Sequence, residues 1–246
     1  MILLDTFKKE EILNSTQRFE KGDPSIVELV VHAFYLLEKL AINKLDFFFK
    51  GGTALMLYLD PPTRFSTDID IITLETRERI ESILDKICEQ EVFLSWELEE
   101  HRSYKEGIPK AHYKLFFNSS LKNDQREILL DILFEENVYP VIELHEINLD
   151  FIIHDDEPIK IKVPPSDALL GDKLTAFAPG TTGIGFNKNK GRDIIKQVFD
   201  IGSLFDKLEN IILVKDTFLK ISEKEITYRK LDIDLIEIAK DVLKMY

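Results

Sequence analysis

Two glycines and two aspartates carry the chemistry open to this chain. Gly51-Gly52 follows the apolar run Leu45-Asp46-Phe47-Phe48-Phe49 and Lys50, a run short enough for a buried strand. With no Cβ, a glycine pair lets the backbone turn sharply and approach a ligand. A helix that starts at such a turn aims free N–H groups at one point, where an anion is welcome. Further on, Asp68-Ile69-Asp70-Ile71-Ile72 first alternates and then turns continuously apolar, as a strand does on entering a core. Residues i and i+2 of a strand face the same way, about 6–7 Å apart. Two carboxylates so placed repel unless a cation lies between them, and hard oxygen donors suit Mg²⁺ or Mn²⁺. Taken singly, each motif has a plainer reading: a strand-to-helix turn, and a polar strand start at the surface. Aspartyl-phosphate enzymes place Asp-x-Asp at the end of an apolar strand; here polar residues come before Asp68 and the apolar run comes after Asp70, which argues against that mechanism.

The elements needed to position these residues are legible around them. Residues 1–24 are polar and predict a helical lead-in with a turn at Gly22-Asp23-Pro24; from Ser25, taken as the cap, Ile26, Val27, Leu29, Val30, Phe34 and Leu37 recur at helical spacing. Thr53 to Leu59 predicts a helix stopped by Pro61-Pro62, and Ile80, Ile83, Leu84 and Ile87 predict another over 76–90. Strands are predicted at 92–98, 112–117, 126–134 and 159–163. Pro164-Pro165 then ends a strand, with Ser166 or Asp167 able to cap the next helix. Helices follow at about 166–178, 189–207, 209–222 and 231–245. The reading is an α/β domain with a mixed sheet over 1–163 and a helical domain over 164–246.

Composition sets limits on partners. At 246 residues, 44% hydrophobic and 31% charged, the chain has ordinary globular composition. It shows no membrane-spanning run and no signal peptide at its start. The single Cys88 excludes an internal disulfide, fits a reducing cytoplasm, and is expected on the inner face of its helix. A net charge of −13, from 32 basic against 45 acidic residues, makes a poor generic binder of duplex DNA. His32, His101, His112, His145 and His154 lack zinc spacing, and neither a P-loop nor a Gly-x-Ser-x-Gly elbow occurs. Glu143-x-His145-Glu146 and His154-Asp155-Asp156 read as strand ends and a turn.

The string Lys50-Gly51-Gly52-Thr53-Ala54-Leu55 followed by Arg64-x-Ser66-x-Asp68-Ile69-Asp70 resembles the AbiEii/AbiGii toxin family of nucleotidyltransferases, within the DNA polymerase β-like superfamily. The resemblance implies a polymerase-β-like nucleotidyltransferase core followed by a helical domain. It implies that Gly51, Gly52 and Thr53 bind the phosphates of an NTP and that Asp68 and Asp70 bind Mg²⁺ or Mn²⁺. A third carboxylate on a neighbouring strand is then needed. Asp131 is the candidate, a lone acid within Ile128-Leu129-Leu130-Asp131-Ile132-Leu133-Phe134, where a carboxylate without a partner is costly; the alternative is an acid facing solvent on an edge strand. Glu127, Glu135 and Glu136 sit at strand ends and need no role.

Further along, Leu169-Leu170-Gly171-Asp172-Lys173-Leu174 is similar to the family's second motif, which implies that Lys173 meets the triphosphate as a positive charge. Arg192-Asp193-Ile194-Ile195-Lys196-Gln197-Val198-Phe199-Asp200 resembles the next, with Lys196 and Asp200 on one helix face as nucleotide contacts; an ordinary i,i+4 surface pair is the plainer reading. Gln197 stands where many members carry a second acid, and Lys190 and Arg192 compete for the family's basic position. Lys188, Lys190, Arg192 and Lys196 form the densest basic patch, after the glycine-rich loop 179–185. The expected function is metal-dependent transfer of NMP from NTP to an acceptor hydroxyl, with RNA such as tRNA as acceptor, by the toxin of a toxin–antitoxin pair. The rivals are a transferase acting on a small molecule or a protein hydroxyl, and a non-catalytic nucleotide-binding module.

Overall fold

The computed structural model describes residues 1–19, 22–59, 61–105, 107–155, 157–185 and 190–244. The chain forms two units, the first Met1–Leu57, Arg64–Glu136 and Leu144–Val163, the second Tyr58–Thr63, Asn137–Glu143 and Pro164–Tyr246.

In the first unit, a 3₁₀ turn (Leu4–Phe7) and α1 (Lys9–Thr16) lead to α2 (Pro24–Ile42). The cap of α2 is Asp23, whose carboxylate accepts from the Ser25 N–H at 2.8 Å, and not Ser25 as expected. Pro24 has no N–H to lose at the first helical position, so the cap falls one residue before it. The strands and helices that follow are β1 (Phe48–Lys50), α3 (Gly51–Ala54), β2 (Ile69–Thr73), α4 (Arg77–Cys88), β3 (Ser95–Leu98), α5 (Glu100–Ser103), β4 (Tyr104–Lys105), β5 (Ile108–Asn118), β6 (Gln125–Phe134), β7 (Glu143–Glu146) and β8 (Lys160–Val163). The sheet runs β3-β5-β6-β2-β1-β8-β7, with β4 pairing β5 alone. It is mixed: β2 runs parallel to β6 and β1 to β8, while β1–β2, β5–β6 and β3–β5 are antiparallel.

Alternation gives this sheet two unlike faces. Phe49, Ile71, Ile132 and Ala111 lie in one cross-strand row, and Ile69, Leu130 and Tyr113 in the next on the same face; all are buried. Helices α2 and α4 pack on this side. The Phe34 ring meets that of Phe49 at 6.5 Å, His32 stacks on Phe117 at 3.6 Å, and the Tyr113 hydroxyl donates to Glu81 at 3.1 Å. Glu28 of α2 is wholly buried. It accepts from the Ser119 hydroxyl at 2.8 Å, the Ser120 N–H at 2.6 Å and Arg126 at 3.3 Å. Burial alone would raise its pKa, but the Ser119 and Ser120 donors together hold it below the ordinary carboxylate value.

Three local expectations fail here. The helix predicted from Thr53 to Leu59 is one α turn at α3 followed by a 3₁₀ turn, Leu55–Leu57. The strand predicted at 92–98 begins only at Ser95, and Glu143-x-His145-Glu146, read as a strand end, is the whole of the short strand β7. Cys88 is half-buried, and burial pushes its thiol up to about 11.

The second unit holds α6 (Ser166–Ala176), α7 (Gly191–Phe205), α8 (Ile211–Arg229) and α9 (Leu235–Leu243). A Cβ on Gly171 would lie 2.5 Å from the Val214 carbonyl, so this glycine is what lets α6 and α8 cross so closely. Ala178, Ile238 and Val242 form a core that Leu174 and Phe218 complete. Neither Ser166 nor Asp167 caps α6, whose N-cap is Pro165. Asp167 instead accepts from the N–H groups of Glu209 at 3.3 Å and Asn210 at 2.9 Å, at the start of α8. The segments 58–63 and 137–143 join this unit through Lys207, which donates to the Tyr58 carbonyl at 2.7 Å, and through the Tyr139 hydroxyl, which donates to Asp172 at 2.5 Å. Among the described residues no helix is long and apolar enough to cross a membrane.

Candidate active site

The face of the sheet opposite α2 and α4 carries a polar row. Lys50 pairs with Asp70, Asp70 with Asp131, and Asp131 with His112, directly across β1, β2, β6 and β5. Each lies one residue out of step with a buried apolar neighbour, so pleating turns all four to the face opposite the core. With Lys110, Ile71, Ile132 and Leu133 they line a cavity of about 180 Å³.

The glycine turn is built against this row. Gly51 has φ +81°, a left-handed conformation that favours glycine. A Cβ there would lie 2.7 Å from Cγ of Asp70. One on Gly52 would lie 2.8 Å from Nη2 of Arg64 and 2.9 Å from Oγ of Ser66. Gly51 is therefore required twice, by backbone angle and by the approach of Asp70, while at Gly52 a side chain would displace Arg64 and Ser66. The backbone of the turn, Arg64, Ser66 and Asp70 thus converge. Thr53 is buried, and its hydroxyl donates to the Asp68 carbonyl at 2.6 Å, tying the start of α3 to the entry of β2. That leaves its N–H as the group with which it could meet a phosphate. Asp68 is exposed, just ahead of β2.

Asp131 is held from two sides. Its Oδ1 lies 2.5 Å from Nδ1 of His112, and its Oδ2 lies 3.5 Å from Nη2 of Arg102. Lys110 Nζ stands 3.0 Å from Nε2 of the same imidazole. Positive and negative groups are thus interleaved, with Lys50, Lys110 and Arg102 placed around Asp70 and Asp131. Asp131 is not an acid on an edge strand: β6 lies between β5 and β2.

Among the described residues no three of His, Cys, Asp and Glu gather into a complete metal cage. The donor set still fits Mg²⁺ or Mn²⁺. Asp70 and Asp131 offer carboxylate oxygens from adjacent, in-register positions. Mg²⁺ commonly takes one or two carboxylates and completes its shell with water and substrate phosphates. Asp68 stands two residues before Asp70 on the same run.

In the second unit the structure departs from expectation. Lys196 does not pair with Asp200: its ammonium lies 3.8 Å from Asp193, on an exposed surface. Asp200 is 1% exposed and faces inward, where its carboxylate meets the ammonium of Lys173 at 2.8 Å. The apolar positions Ile201 and Leu204 are buried on α7, and that rotation takes Asp200 inward with them. Lys190, Arg192 and Lys196 are exposed, and Lys188 lies outside the described residues.

Arg102, Lys110 and His112 were missed from sequence, and Lys50 was noted only as part of the motif. The available signal was Lys110-x-His112-x-Lys114 alternating with buried Ala111 and Tyr113.

A mixed sheet that sets a glycine turn against in-register carboxylates, followed by a helical region, is the fold of a nucleotidyltransferase-family protein. The chain belongs to the AbiEii family: the family model described as the nucleotidyl transferase AbiEii toxin of a type IV toxin–antitoxin system matches residues 35–245. Among curated proteins none matches. Among solved structures, it is similar to a candidate nucleotidyltransferase from H. pylori, with 16% identity, TM-score 0.48, and coverage of 96% of this chain and 93% of that one. It is also similar to JHP933 from Helicobacter pylori (15%, 0.47, 97% and 91%). A third is an antigenic nucleotidyltransferase-like protein from Paracoccidioides brasiliensis (12%, 0.48, 88% and 92%).

Proposed function

We propose that this chain transfers a nucleoside monophosphate from an NTP to an acceptor hydroxyl, with RNA as acceptor, as the toxin of a toxin–antitoxin pair. The observation that carries this reading is the close approach of Gly51 to Asp70 within a row that continues to Asp131. The N–H groups of Gly51, Gly52 and Thr53, with Arg64 and Ser66 beside them, hold the β- and γ-phosphates. Asp68, Asp70 and Asp131 would hold Mg²⁺ or Mn²⁺, which when bound neutralises charge on the transferring phosphoryl group and on the attacking and leaving oxygens. Asp131 accepts the proton of the acceptor hydroxyl as its oxygen attacks the α-phosphorus, and pyrophosphate leaves from the side of the glycine turn. Lys173 and Asp200, paired in the second unit, are assigned to the nucleotide by family resemblance, and Lys190, Arg192 and Lys196 to the acceptor strand.

The test is incubation of the purified chain with each NTP labelled at the α-phosphate, Mg²⁺ and total bacterial RNA. Wild type labels RNA and Asp70→Asn does not; equal behaviour of the two sinks the reading. The net charge of −13 favours a second reading, with a small-molecule or protein hydroxyl as acceptor. Salt separates them, because an RNA acceptor makes binding fall steeply with ionic strength. Nucleotide binding without transfer to any acceptor would mark a non-catalytic module.

A further inference from the structure

We propose that His112 is a positioning residue for Asp131, fixed in one tautomer by Lys110 and aiming the carboxylate at the acceptor hydroxyl. The inference rests on the transferase reading above. Nδ1 of His112 lies 2.5 Å from Oδ1 of Asp131, and Nε2 lies 3.0 Å from Nζ of Lys110. An ionised carboxylate only accepts hydrogen bonds, so Nδ1 carries the proton and donates it. A lysine ammonium only donates, so Nε2 accepts. Both contacts are satisfied together by the neutral Nδ1–H imidazole alone. The opposite tautomer would set a bare nitrogen against a carboxylate and an N–H against an ammonium.

The ring cannot easily turn away. It belongs to a residue 9% exposed, and the backbone N–H of His112 is pinned by the Ser103 hydroxyl at 2.9 Å. With Arg102 on the far oxygen at 3.5 Å, the Asp131 carboxylate is braced at both ends. Such an outer partner fixes the rotamer of a functional carboxylate, and losing it typically costs about 10–100-fold in activity or metal affinity.

The experiment uses the full chain, α-labelled NTP, Mg²⁺ and total bacterial RNA, together with ¹⁵N spectra of histidine-labelled protein. His112→Phe lowers kcat about 10–100-fold and moves KM for NTP by less than about twofold, because phosphate binding lies elsewhere. His112→Asn, whose amide N–H can replace Nδ1–H, recovers most of that loss. The ¹⁵N spectrum shows His112, identified by its disappearance in His112→Asn, as the neutral Nδ1–H tautomer. That signal changes in Lys110→Met. An unchanged kcat in His112→Phe, no rescue by Asn, or an Nε2–H tautomer overturns the inference while wild-type transfer leaves the function standing. A wild type that transfers nothing overturns both. A thermal midpoint matching wild type certifies each variant as folded.

Discussion

Replacing Gly51 by alanine tests whether the glycine turn and the carboxylate row form one site. Two costs are expected. Holding alanine in the left-handed region costs about 1–2 kcal/mol, partly offset by about 0.4–1 kcal/mol from a stiffer unfolded chain. The new methyl group would also lie 2.7 Å from Cγ and 2.9 Å from Cβ of Asp70, closer than packed carbons come. Overpacking of this kind adds about 1–3 kcal/mol. The molecule contains its own control, since Gly107 has the same φ of +81° and no heavy atom within 4 Å of the place a Cβ would occupy. Gly107→Ala therefore carries only the backbone cost, and the difference between the two variants isolates the overlap with Asp70. Urea unfolding should place Gly51→Ala about 1–3 kcal/mol below Gly107→Ala. Transfer activity should fall by about 100-fold or more in Gly51→Ala alone, since a displacement of about 1 Å at a reacting group costs that much. Equal urea midpoints for the two variants, with transfer intact in both, would refute the reasoning.

Two further outcomes follow from buried charge. Lys173→Met should destabilise the chain by about 3–5 kcal/mol, because Asp200 is left in the interior without the ammonium it meets there. Lys173→Met with Asp200→Leu should cost clearly less than the sum of the two single changes, which a double-mutant cycle in urea reads directly. His32 titrates at about 4, held down first by burial and further by Arg126, against 6.5 when unfolded. As pH falls from about 6.5 to about 4, the unfolded chain takes a proton that the folded one refuses, so stability drops by about 3 kcal/mol in that window. Above pH 6.5 this contribution is complete and flat. Urea midpoints at several pH values should show that His32→Phe removes this part of the slope.

Much of the architecture could be read from one-dimensional pattern. The apolar run closing at Lys50, the period-two start of β2 and the lone acid in β6 each left a local trace. Strand boundaries for β6 and β8 fall within a residue of those expected, because apolar alternation and Pro164 mark them. His112 left only the alternation Lys110-x-His112-x-Lys114, because its partnership with Asp131 depends on antiparallel register between β5 and β6, which no local pattern encodes. The partner of Asp200 was hidden for a related reason. Spacing of four put it beside Lys196, but the direction in which α7 is buried decides its partner, and Ile201 and Leu204 turn it inward. The α3 turn was overestimated because good helix formers outweighed the short distance between Gly52 and Pro61.

The row from Lys50 to His112 has a consequence for folding. Its members come from four strands far apart in the chain and meet only through hydrogen-bond register, so no local segment contains a working fraction of it. Loop closure between β2 and β6 must be complete before Asp70 sees Asp131. Partial fraying that spares the central strands leaves the row whole, and any opening between β2 and β6 removes it at once. Amide exchange in those two strands and loss of the site should therefore follow the same opening event, making the slowest-exchanging part of the sheet the clock for inactivation.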